Sequence, residues 1–146
     1  MTNDRRQFST FFVDGLCFGV EVLHVQEIIR FQRMTRVPLA PPVVRGLINL
    51  RGQIVTAIDL RLRLGLAPQG GDDRPMNVVV RSGDSIVSLL VDDIADVVTV
   101  PEDILEQVPE TLAPGVRALT TGIYKLKDRL LLILAIEKAV LTGIAA

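Results

Sequence analysis

A chain of 146 residues fits one globular domain, since domains commonly run to about 100 to 150 residues. Hydrophobic residues at 49% against 23% charged, with mean hydropathy +0.39, exclude a disordered chain, because such chains lack the apolar surface that offsets ordering entropy. The net charge of −1 conceals a split: seven arginines and the single acid Asp59 lie between residues 30 and 63, whereas eight acids and no base lie between 84 and 116. Faces of opposite sign orient protein partners and suit a phosphate backbone poorly, so a protein partner is expected and nucleic acid is not.

Taken in chain order, the first elements are strands. Phe8 to Val13 is rich in Phe and Thr, Asp14-Gly15 is a strong two-residue hairpin signal, and Leu16 to Val20 supplies the return. Val22, Val25 and Ile29 follow helical spacing briefly, which predicts a short helix and then a strand over Arg30 to Val37. Pro38, Pro41 and Pro42 cannot donate ladder hydrogen bonds and predict a loop. A second hairpin runs from Gly46 and Leu47 to Leu50, turns at Arg51-Gly52 and returns over Gln53 to Ile58. Asp59 offers an N-cap to a helix Leu60 to Leu64, with Gly65 just beyond it.

Residues 67–75 read as a linker between a sub-unit at 8–66 and another at 76–141, within one domain over 1–146. Beyond it come a strand Asn77 to Arg81, a turn Ser82-Gly83-Asp84 and a long strand from Ser85 to near Val100. A short helix is expected from Pro101, with breaks at Pro109 and Pro114. The last hairpin is Gly122 to Leu126 and Arg129 to Ala135 around Lys127-Asp128, followed by a short terminal helix. A shift of 76 residues superposes Gly46, Leu47, Leu50, Arg51, Ile54 and Ile58 on Gly122, Ile123, Leu126, Lys127, Leu130 and Leu134. Such an echo predicts two related five-stranded barrels.

Few residues offer chemistry. Cys17 is the only cysteine and His24 the only histidine, too few for an internal disulfide or a structural zinc site. Cys17 reads as a small buried hydrophobe and His24 as structural. Asp92 and Asp93 are neighbours on a strand and point to opposite faces, and Gly70-Gly71 precedes acids and a proline rather than a helix. No metal, no cofactor and no enzymatic activity are expected. The longest apolar run, Leu130 to Ile136, is strand-sized, so no direct membrane insertion is expected and the chain reads as cytoplasmic.

The segments Val22 to Ile28, Val44 to Val55 with its Asn49-Leu50-Arg51-Gly52 core, Ile58-Asp59-Leu60-Arg61, Leu90-Val91-Asp92 and Ile94 to Val98 resemble the CheW family of chemotaxis coupling proteins. The resemblance runs from Phe8 to Leu141. It implies a mostly β fold of two tandem SH3-like five-stranded barrels with a few short helices. It also implies a non-catalytic adaptor that joins the cytoplasmic tips of methyl-accepting chemoreceptors to the regulatory domain of a CheA-like histidine kinase, beneath membrane-bound receptor arrays.

By position, the resemblance gives Arg51, Val78 and Val79 to the receptor. It gives Val25 and Glu27 to the kinase, and Glu106, Glu110 and Thr111 to a second surface that meets the kinase or further copies of the adaptor in rings. Some family members carry a base at the position of Glu106 and an aromatic at that of Thr111. Gly15, Gly46 and Gly52 are expected as turn glycines. A coupling protein for gliding or pilus motility and a small β-barrel ligand-binding module are the alternatives.

Overall fold

Two-residue turns set the frame. In the computed structural model, which describes residues 5–68, 74–101 and 105–141, β1 (Arg5–Val13) pairs antiparallel with β2 (Leu16–Glu21), and Val13 faces Leu16 across the Asp14-Gly15 turn. Asp14 and Gly15 both take positive φ, 53° and 77°, the primed geometry whose twist matches that of the strands. A single 3-10 turn, Val22–His24, leads into β3 (Val25–Ile29). The helix expected here stops after that turn, because the β-branched Val25, Ile28 and Ile29 favour extended backbone. The strand expected over Arg30 to Val37 is irregular apart from a bridge at Thr35.

The Arg51-Gly52 turn joins β4 (Val44–Leu50) to β5 (Gln53–Asp59). Asp59 caps α1 (Leu60–Arg63) by accepting a hydrogen bond from the Leu62 amide, and Gly65 at φ 76° lies just past its end. A third tight hairpin, β6 (Met76–Ser82) with β7 (Ser85–Val91), turns at Gly83-Asp84. The long strand expected from Ser85 is two strands: the ladder breaks at Asp92 and β8 (Asp93–Pro101) crosses to the other sheet. Then come α2 (Pro114–Ala118) with proline in its first turn, β9 (Thr120–Lys125), β10 (Leu130–Leu134) and α3 (Ile136–Leu141). Gly70-Gly71 and the helix start expected after Pro101 fall outside the described residues.

The strands form two five-stranded sheets, one ordered β8-β1-β2-β10-β9 and the other β3-β6-β7-β5-β4. The fold class is thus as expected, but the sheets do not follow the boundary at 67–75. The hairpin β6–β7 completes the sheet begun by β3 to β5, and β8 to β10 return to the hairpin β1–β2. Each repeat therefore gives its hairpin to one sheet and its next three strands to the other. The registers agree: the parallel pair Thr56–Val87 in one sheet matches Leu132–Phe18 in the other, and the turn pair Val13–Leu16 matches Ser82–Ser85. The largest apolar cluster lies between the sheets, with Phe11, Phe18, Leu132 and Leu134 from one against Ile58, Val78, Val80 and Leu89 from the other. Each sheet also holds a smaller cluster of its own, around Phe8 and Tyr124 in one and Ile48 and Val55 in the other.

Each sheet also curls until its edges meet. The segment leaving β3 bridges β4 through Thr35 and Leu47, whose amides and carbonyls exchange hydrogen bonds at 2.8 Å in both directions. The segment leaving β8 bridges β9 in the same way through Glu106 and Ile123, at 2.7 and 3.0 Å. Gly46 is accordingly not a turn glycine. It lies inside β4 where a Cβ would stand 2.7 Å from the Thr35 carbonyl oxygen, so the edge bridge requires its bare backbone. Gly15 and Gly52, at φ 77° and 85°, do occupy turns.

Candidate functional site

The β4–β5 turn presents the most distinctive side chain. Leu50 pairs with Gln53, so Arg51 and Gly52 alone reverse the chain, at φ 54° and 85°. Asn49 supports the turn by accepting the Gly52 amide on its side-chain oxygen at 2.9 Å. Left-handed backbone at arginine is unfavourable by about 1 kcal/mol or more, and asparagine or glycine is the usual occupant of such a turn. An arginine kept there, 80% exposed, is a side chain on display.

Its partner lies across the closed sheet. One terminal nitrogen of Arg51 is 3.0 Å from a carboxylate oxygen of Glu27, which stands on β3 and is only 18% exposed. Curling the sheet brings β3, on one edge, to the turn that ends β4, on the other. Two residues given by resemblance to different partners are therefore in direct contact. Val25, two residues before Glu27, is half-buried and packs against the core, so it offers a partner only part of its surface. Ile28 on the same strand and Ile54 just past the turn are exposed and add apolar surface to this region.

Val78 and Val79 do not belong to this surface. Both are fully buried on β6, a strand flanked on both sides, so neither has area to offer a receptor in this fold. The continuous β-branched run Val78-Val79-Val80 explains the position: it belongs to a core strand packed on both faces.

The second surface has exposed members. Glu106 lies 3.4 Å from Lys125 at the edge bridge, Glu110 lies 4.0 Å from Arg117, and Thr111 is exposed. Ion pairs this exposed are screened by solvent and hold little stability, which leaves these charges open to exchange with a partner.

The Asp59-Leu60-Arg61 block is structural. Arg61, 16% exposed, binds Asp92 with two hydrogen bonds at 3.2 and 3.0 Å, reaches Asp14 at 3.4 Å and donates to the Ala67 carbonyl at 3.0 Å. Asp92 also accepts the Asp14 amide at 2.8 Å. Hydrogen bonding to Asp92 raises the Arg61 pKa further above its already high value. One guanidinium so fastens the first hairpin, the β7–β8 junction and α1. Asp92 and Asp93 do part as expected, with Asp93 turning back to its own strand by accepting the Ile94 amide.

Cys17 is buried and burial pushes its thiol pKa up, the opposite of an activated thiolate. Among the described residues no three His, Cys, Asp or Glu side chains gather where they could hold a metal ion, and no helix is long and apolar enough to cross a membrane.

Residues 7–141 match the family model described as the CheW-like domain. The chemotaxis protein CheW of Helicobacter pylori is 34% identical over 132 residues, covering 90% of this chain and 79% of that protein. The CheW of Bacillus subtilis is 36% identical over 121 residues, covering 83% and 78%. The crystal structure of the scaffolding protein TtCheW from Thermoanaerobacter tengcongensis superposes with a TM-score of 0.78 at 26% identity, covering 88% of this chain and 83% of that one.

Proposed function

The chain belongs to the CheW family and is a chemotaxis coupling adaptor, and from that premise we propose that its β3 edge and β4–β5 turn join a chemoreceptor tip to a CheA-like kinase. The observation that carries this reading is Arg51, exposed in a strained turn and paired with the half-sheltered Glu27. The planar guanidinium suits carboxylates and backbone carbonyls on a receptor, which a lysine reproduces poorly. Glu27 and the exposed part of Val25 face the kinase, and the Glu106, Glu110 and Thr111 surface serves a second contact in the array. The adaptor works in the cytoplasm, turns over no substrate and needs no cofactor.

Separate titrations with receptor and kinase fragments test the reading. Arg51→Ala is expected to weaken receptor binding by about tenfold, the scale of a lost charged hydrogen bond, and Arg51→Lys by less. Glu27→Ala is expected to weaken kinase binding. Because the two side chains touch, the Arg51→Ala and Glu27→Ala effects on either partner should be non-additive. Unchanged receptor affinity in Arg51→Ala, with the melting curve intact, would return this arginine to an ordinary turn position.

A further inference from the structure

The repeat has one site built twice, filled once and open once. In the first copy the hairpin turn, the residue after β7 and the start of α1 converge, and Arg61 locks them through Asp92 and Asp14. The matching registers carry these positions to the second copy: Arg61 to Glu137, Asp92 to Leu23 and Asp14 to Gly83. None of the three can rebuild the lock. Leu23 is 91% exposed, and the cation at the centre has become an acid.

In place of the lock stands a cavity of about 360 Å3. Its floor is apolar, made by Ile133, Leu134, Ala135 and Ile136 at the end of β10 and the start of α3. Its rim is charged. Arg6 pairs with Glu21, so these two offset each other, while Arg81 donates to the neutral Gln26 side chain at 2.9 Å. Lys138 and His24 complete the rim beside Glu137, leaving permanent cations in excess of acids. The cavity shares no lining residue with the Arg51–Glu27 surface.

We infer that this cavity is a docking site for a partner peptide carrying an apolar side chain beside a carboxylate. The apolar side chain covers the floor, and the carboxylate takes hydrogen bonds from Arg81 and Lys138, giving from outside the cross-link that Arg61 gives the first copy from within. The argument is one of charge complementarity over an apolar floor, and it goes beyond the contacts proposed above, since neither the Arg51–Glu27 pair nor Glu106, Glu110 or Thr111 lines this cavity.

The test is an amide-resolved NMR titration of the full chain with a capped tetrapeptide of two central leucines between glutamates, and with its lysine-flanked analogue. The acidic peptide should move the amides of Gly83, Thr121 and Ile136, and the basic one should not. Arg81→Ala with Lys138→Ala should weaken binding by on the order of tenfold. Rebuilding the lock with Leu23→Asp, Gly83→Asp and Glu137→Arg should abolish binding and raise the melting temperature. The inference is overturned if the shifts map elsewhere, if the two peptides act alike, if inorganic phosphate alone moves the same amides as strongly, or if the Arg81 and Lys138 changes leave binding intact in a folded chain.

Discussion

The two sheets close in the same way but with different tolerance. At the β4 edge, the Cβ that Gly46 lacks would meet the Thr35 carbonyl oxygen at 2.7 Å, a backbone atom that accepts the Leu47 amide in a two-bond bridge. At the β9 edge, the matching Cβ on Gly122 would meet the Leu105 side chain, its Cδ1 at 2.7 Å and its Cγ at 2.8 Å, so an exposed side chain rather than backbone has to give. The first closure is rigid and carries the Arg51–Glu27 pair; the second is yielding and carries the exposed Glu106–Lys125 pair. A glycine shared by two repeats can thus be essential in one and dispensable in the other, according to what approaches it.

The largest expected effect is the split between two alanines. Gly46→Ala should destabilise the fold by about 3 kcal/mol, because either the bridge or the strand must move, whereas Gly122→Ala should cost less than about 1 kcal/mol. Urea unfolding of both variants measures the difference, and equal losses would show that the two closures are alike. Next in size, Arg61→Ala should remove about 2 kcal/mol by leaving Asp92 without its bidentate partner, read in the same unfolding experiment. Glu137→Ala, at the matching position in the open copy, should leave stability nearly unchanged. The smallest effect sharpens the account of the rigid edge: Arg51→Gly relieves left-handed strain while losing an exposed ion pair, so its stability should stay within about 0.5 kcal/mol of the parent. Receptor binding should fall in that variant even so.

What was legible in the sequence was what neighbours decide. Asp14-Gly15 and Arg51-Gly52 declare their turns by local chemistry, Asp59 and Gly65 bracket α1, and the shift of 76 residues already aligned Gly46 with Gly122. What was hidden depends on distant partners. The break at Asp92 is fixed by Arg61, and nothing within Ser85 to Val100 announces it. Gly46 reads as a turn glycine until Thr35 is seen against it. The contact of Arg51 with Glu27 exists because opposite edges of a sheet meet, and the burial of Val78 and Val79 because β6 is flanked on both sides. The echo revealed two copies, but pattern alone is silent on which hairpin joins which sheet.

The interleaved topology sets a timetable for synthesis. The sheet of β3 to β7 is encoded without interruption between Val25 and Val91, so it can close as soon as that stretch has left the ribosome. The other sheet is split: the hairpin β1–β2 ends at Glu21 and emerges first, yet its neighbour β8 begins only at Asp93, about 70 residues later, and β10 at Leu130, about 110 residues later. At elongation rates of about 5 to 20 residues per second, that is a delay of several seconds. Throughout it Phe8, Phe11 and Phe18 lack the strands that will cover them, and both hairpin edges stand unpaired. The nascent chain is therefore most vulnerable at its beginning, and the inner sheet is the template on which the outer one is completed.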